Sequence, residues 1–128
     1  MIFADSSYFI ALAREKDRWH KDALRISDRV RESMIISELI ISESITMVGS
    51  FEGGKAGKTL YEYFVDNCKI EFMNEEIMEK AMDTFLKYDG SISLADASSI
   101  EIMKKYGIKK IISFDGDFDK ADEIERIK

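Results

Sequence analysis

The run Ile111-Ile112-Ser113-Phe114-Asp115 carries an apolar stretch onto a carboxylate, and Met1-Ile2-Phe3-Ala4-Asp5 does the same at the other end of the chain. Short apolar runs of this kind suit strands of a parallel sheet, buried on both faces. Each delivers an acid at its C-terminal end, the edge at which open α/β sheets bind ligands. Two further acids, Glu43 and Asp96, lie beside apolar runs between them. Four carboxylates drawn to one edge would repel one another unless a cation neutralised them. The simplest reading is a hard-metal site, and a hard metal among oxygens points to phosphate chemistry.

Between the two runs, strand and helix patterns alternate. Residues 1–5 read as a strand, and Ser6 is placed to cap a helix with Phe9, Leu12 and Ala13 on one side. A second helix is expected from about 18 to 31, with Ala23, Ile26 and Val30 at helical spacing, then a strand at 34–36 and a helix at 37–49. Gly53 and Gly54 mark a turn, and 58–67 is helical again. A strand at 68–73 leads into amphipathic helix at 75–88, and Asp89-Gly90 into helix at 93–106, stopped by Gly107 in the left-handed conformation. Residues 110–114 form the fourth strand and 124–127 a short fifth. This alternation predicts one α/β domain over residues 1–128, an α/β/α sandwich whose central sheet of four or five strands is mostly parallel.

The chain has 128 residues, no proline, one cysteine and a formal net charge of -6. That length is one domain by ordinary measure and buries roughly two-thirds of its unfolded surface. No apolar stretch reaches the length of a membrane span. The start has neither a basic segment nor a small-residue cleavage site, so a cytoplasmic location is expected. Cys68 reads as a small buried hydrophobe. The negative charge argues against coating nucleic acid through broad attraction, but not against a nuclease with acids in its site and a local basic rim. Basic residues do gather locally: Arg14, Lys16, Arg18 and Lys21; Lys55 and Lys58; Lys104, Lys105, Lys109 and Lys110. Taken singly, each reads as solvated surface.

Each candidate also has a structural explanation. Asp5 stands at a strand-to-helix corner, where Asp is common for capping reasons alone. Glu43 shares a helix face with Leu39 and Met47, so it occupies a narrow wet strip or is desolvated and needs a partner. Glu38, nearer the helix start, is accounted for by the helix dipole. Ser93 and Asp96 have capping-box spacing, yet that position also faces the rim which strand ends reach. Asp115-Gly116-Asp117-Phe118-Asp119 imitates a calcium loop but has Lys120 and Arg126 where Gly and Glu are required. Gly57-Lys58-Thr59 imitates a phosphate loop without its earlier glycine. His20, the only histidine, lacks partners for zinc or acid–base work and reads as a surface residue beside Trp19, which packs a core edge.

Taken together, the acids and their flanks resemble the PIN-domain ribonucleases, in particular the VapC-like toxin branch, over nearly the whole chain. Ile2-Phe3-Ala4-Asp5-Ser6-Ser7 looks like the first motif of that family, with Ser6 where threonine is frequent. Ile36 to Ser44 is similar to the second, with Glu43 as its acid. Ser93 to Ile100 matches the third, and Ile112 to Phe118 the fourth, with Asp115 and then Asp117. The segment 51–58 is uninformative in these terms.

The resemblance implies a Mg²⁺- or Mn²⁺-dependent endoribonuclease. Asp5 and Asp96 would be direct ligands, Glu43 and Asp115 would hold metal directly or through water, and Asp117 would give outer support. Ser6 or Ser7 would orient an aspartate, contact the phosphate or cap the first helix. A small antitoxin and a homodimer are the implied partners, with Phe9 and Trp19 as candidates for such surfaces or for the core. Two other readings stand beside this one: a PIN nuclease of RNA processing, and a non-catalytic module that binds RNA or protein. A haloacid-dehalogenase-like phosphatase would need an acid where Ser7 stands.

Overall fold

The computed structural model describes residues 1–128. Five strands, β1 (Ile2–Ala4), β2 (Met34–Ser37), β3 (Cys68–Glu71), β4 (Lys110–Ile112) and β5 (Glu125–Ile127), form one sheet in the order β3-β2-β1-β4-β5. Every pairing is parallel; Phe3 pairs with Ile35 on one side and Ile111 on the other. The helices are α1 (Ser6–Ala13), α2 (His20–Arg29), α3 (Glu38–Glu52), α4 (Gly54–Asn67), α5 (Glu75–Lys87) and α6 (Leu94–Tyr106), with a 3₁₀ turn at Gly116–Lys120.

The sheet order explains the layers. From β1 the chain steps outward to β2 and β3, then returns across the sheet to β4. Right-handed crossovers therefore put α1 to α4 on one face and α5 with α6 on the other. Packing follows that division: α1 meets α2 and α3, α3 meets α4, and α5 meets α6. The reversal of direction lies between β1 and β4, whose C-terminal ends carry Asp5 and, after Ser113 and Phe114, Asp115.

Twenty-six buried apolar residues form one core cluster. The central strands are apolar throughout because no face of theirs meets water: Ile2, Phe3, Ala4, Ile35, Ile36, Ile111 and Ile112 are all fully buried. Phe9 is fully buried too, edge-on to Phe64 at 4.7 Å, so it belongs to the core and not to a docking surface.

Several boundaries differ from the sequence reading. The first helix is not capped by Ser6; Asp5 holds the N-cap position and Ser6 is the first helical residue. α3 runs past Gly49 to Glu52, and α4 begins at Gly54, four residues before the expected start at 58. Gly57 lies where the two helices cross: a Cβ there would lie 3.3 Å from Ile45 Cγ2 and 3.4 Å from Ile45 O, so the glycine lets α4 approach α3 closely. Gly107 ends α6 with φ 65°, as the sequence predicts. His20 is half-buried, its Nδ1 2.7 Å from the carbonyl of Ala11, and latches α2 to α1. Cys68 is partly buried, which pushes its thiol up to about 11.

Candidate metal centre

The five acids converge on the sheet edge from four separate segments. Asp5 ends β1, Glu43 lies on α3, Asp96 in the first turn of α6, and Asp115 and Asp117 around the 3₁₀ turn after β4. Glu43 and Asp96 sit on helices of opposite layers, so they approach the edge from its two sides.

Asp5 is 3% exposed. Ser113 Oγ donates to its Oδ2 at 2.7 Å and Ser7 Oγ donates to the same oxygen at 2.9 Å. The backbone N–H groups of Asp115 and Phe114 in turn donate to the hydroxyls of Ser113 and Ser7, each at 3.0 Å. These two hydroxyls thus tie the end of β1 to the end of β4. Burial raises the carboxyl above its usual range, the Ser113 and Ser7 hydroxyls pull it back, and Glu43 nearby raises it further.

Ser93 N-caps α6 by accepting from the Asp96 N–H at 3.0 Å. The reciprocal bond from the Ser93 N–H to the Asp96 carboxylate is not made, so the capping box is half-formed. Asp96 is 8% exposed, and its carboxyl is pushed up to about 7. Burial is the main cause, followed by the charges of Asp5 and Asp115, with Ser93 opposing and Glu43 adding to the rise. An acid raised by its acidic neighbours is one that needs a cation.

Asp115 caps the 3₁₀ turn by accepting from the Asp117 N–H at 2.9 Å, which turns Asp117 back toward the site. As a result, carboxylate oxygens of Asp96, Asp115 and Asp117 lie within 4.8 Å of one another. Asp117, expected as outer support, is in this group; Asp5, expected as a direct ligand, accepts from Ser7 and Ser113 and lies near enough for its charge to raise the Asp96 carboxyl. Asp119 makes a two-pronged pair with Arg126, both bonds at 2.9 Å.

Glu43 is exposed, on the wet strip of α3, and accepts from the Ser6 hydroxyl. It lines an open groove of about 510 Å³ with Leu39, Thr46, Met47 and Ala95. Glu38 does more than complement a dipole: its Oε1 accepts from the Met73 N–H at 2.5 Å and fastens the chain leaving β3. Ser113 is the residue the sequence reading quoted without giving it a role. Its signal in the sequence is a hydroxyl within an apolar run, and the fold buries it fully.

The donor set suits a hard divalent cation. It consists of carboxylate oxygens with no histidine or thiol among them, as Mg²⁺ and Mn²⁺ prefer. Lys120 Nζ, 3.1 Å from Asp117 Oδ1, is the one cation paired with the group; Asp5, Glu43, Asp96 and Asp115 have no ion-pair partner.

A parallel α/β sheet with mutually repelling carboxylates at its switch point defines a class: α/β proteins whose ligand site lies at the strand ends, here lined by an acidic cluster that could hold a metal ion. Within that class the chain belongs to the PIN domain family, whose model matches residues 2–124. It is 28% identical over 127 residues to the 23S rRNA-specific endonuclease VapC20 of Mycobacterium tuberculosis, covering 98% of this chain and 97% of that protein. The crystal structure of VapC20, described as a sarcin-ricin loop cleaving toxin, superposes with a TM-score of 0.88 at 26% identity, over 94% of this chain and 95% of the other. A toxin-antitoxin complex from Klebsiella pneumoniae shares the fold, with a TM-score of 0.75 at 15% identity over 98% and 96% of the two chains.

Proposed function

We propose that this protein is a divalent-metal-dependent endoribonuclease and the toxin of a toxin–antitoxin pair. The observation that carries the reading is the convergence of Asp96, Asp115 and Asp117 within 4.8 Å at the sheet edge, with Asp96 raised to about 7 by burial and by Asp5 and Asp115. Membership of the PIN family and the likeness to a curated endonuclease over nearly its whole length support it.

Asp96, Asp115 and Asp117 would hold Mg²⁺ or Mn²⁺, with Asp5 and Glu43 completing the negative field or joining as ligands. Bound there, the cation supplies Lewis acidity toward a phosphodiester and offsets the charge that develops during its cleavage. The chain's own residues do the rest. Ser7 and Ser113 fix the orientation of Asp5, and Ser6 does the same for Glu43. Glu43, which lines the open groove, would take a proton from water approaching the phosphate. The half-formed capping box keeps the Asp96 carboxylate available to the site.

The implied partners are RNA, a small neutralising antitoxin and a second copy of this chain. No helix is long and apolar enough to cross a membrane, and we place the protein in the cytoplasm. The test is incubation with total cellular RNA, with mapping of the cleaved ends; 23S rRNA, the substrate named for the relative, is the first to examine. Cleavage should need Mg²⁺ or Mn²⁺ and stop in EDTA. Undiminished cleavage in excess chelator would remove the metal from the mechanism, and intact RNA under every metal condition would remove the activity.

A further inference from the structure

The residue before Asp115 carries an aromatic arrangement that the carboxylates do not use. Phe114 and Trp19 stack face to face, ring centroids 5.2 Å apart and planes 6° from parallel, and both remain partly exposed. The stack is held in place from both ends. The Phe114 N–H donates to Ser7 Oγ, the hydroxyl that also orients Asp5. The Trp19 N–H donates to Asp17 Oδ1 at 2.8 Å, Asp17 pairs with Arg14, and the neighbouring His20 is latched to α1. Arg18, exposed at its end, lies with its guanidinium carbon 4.6 Å from the centre of the Trp19 ring. Lys16 and Lys21, also exposed, flank the same loop, and neither they nor Arg18 enters an ion pair.

An ordered aromatic ring beside a phosphate-directed site, bordered by free cations, has the parts of a single-strand binding surface. Bases stack on the ring face while lysine and arginine track the backbone. We propose that Trp19, backed by Phe114 and bordered by Arg18, is a stacking platform for a nucleobase of single-stranded RNA next to the phosphate at the carboxylates. The inference rests on the nuclease reading and adds to it a substrate-binding subsite. Arg18 gives way to the incoming base and turns its guanidinium to a neighbouring phosphate. With a net charge of -6 the chain has no broad attraction for RNA, and Lys16, Arg18 and Lys21 supply a local one at this aromatic corner.

Trp19 is the only tryptophan, so emission excited at wavelengths beyond tyrosine absorption reports on this ring alone. Glu43→Gln protein in Mg²⁺ is titrated with a short single-stranded RNA and, separately, with an abasic ribose-phosphate oligomer of equal length; binding is followed in parallel by anisotropy of a labelled RNA. The RNA should quench Trp19 emission as it binds, and the abasic oligomer should leave it unchanged. In otherwise wild-type protein of undiminished Tm, Trp19→Leu should raise KM about tenfold, within the range of base–aromatic stacking, with kcat little altered, and Trp19→Tyr should restore most of the loss. RNA that binds without changing the emission, or an unchanged KM in Trp19→Leu, would overturn the platform and leave the nuclease standing. Loss of self-association in Trp19→Leu with KM unchanged would make this a protein interface and also overturn it. Neither binding nor cleavage of any RNA would overturn both readings.

Discussion

Asp5 is buried against two hydroxyls and has no cation of its own, so its role and its cost to the fold can be separated by one substitution. In Asp5→Asn the amide oxygen still accepts from Ser7 and Ser113, while the burial penalty on a charge disappears. The metal-free variant should melt no lower than wild type, and its metal-dependent cleavage of RNA should vanish. Full cleavage by the folded variant would take Asp5 out of the mechanism. Asp96 makes a pH prediction. Its folded value is about 7 against an ordinary 3.8, so between those values the folded state holds a proton that the unfolded state has released. This group therefore favours the metal-free fold most at low pH, and that contribution is lost as pH rises through 7. A cation requires the deprotonated form, so the rise in Tm produced by Mg²⁺ should grow across the same window. A calorimetric Tm series in EDTA and in Mg²⁺ measures both trends; an Mg²⁺ effect that is flat in pH would separate Asp96 from the metal.

Elements carry the site by their ends and crossings. α6 presents Asp96 because Ser93 caps its N-terminus, and Ser93→Ala should cost about 1 kcal/mol of stability in denaturant unfolding. The same change frees the first turn of α6 and should lower cleavage more than stability alone explains. α3 presents Glu43, and its position depends on the close approach of α4 at Gly57. An alanine there gains helix propensity and crowds Ile45 by only a few tenths of an ångström, so it should be nearly neutral. Gly57→Leu should be destabilising by about 1–3 kcal/mol, because the added carbons must displace Ile45 and the α3 backbone. Equal stability of the glycine and leucine proteins would show that this crossing is slack.

At the scale of the whole molecule, the order β3-β2-β1-β4-β5 brings helices of both layers to one edge. Carboxylates gathered there repel in the metal-free fold, and the unfolded chain has no comparable site. Metal should therefore act on global stability, not only on catalysis. At a free Mg²⁺ concentration about 100 times its Kd, the fold should gain roughly 2.7 kcal/mol, seen as a higher Tm that EDTA reverses. Asp96→Asn should abolish most of that gain. A wild-type Tm indifferent to both Mg²⁺ and Mn²⁺ would mean that these acids do not form a cation site.

The alternation of strand and helix and the parallel sheet were legible in the sequence because each follows from local apolar patterning, and Asp5, Glu43, Asp96 and Asp115 stood out as candidates because each borders an apolar run. Short apolar runs without polar alternation leave no wet face, and a carboxylate at the end of such a run must lie at the sheet edge. Less local features were not legible. Asp117 joins the closest carboxylates because Asp115 caps a 3₁₀ turn, a backbone detail that residue types alone do not dictate. Ser113 reaches Asp5 across 108 positions, Trp19 meets Phe114 across 95, and Gly57 meets Ile45 on a neighbouring helix. Periodicity along the chain determined what must be buried and where the acids could emerge. Only the packed tertiary structure decided which side chains touch, because contacts between distant segments depend on how sheet order and helix crossings bring them together.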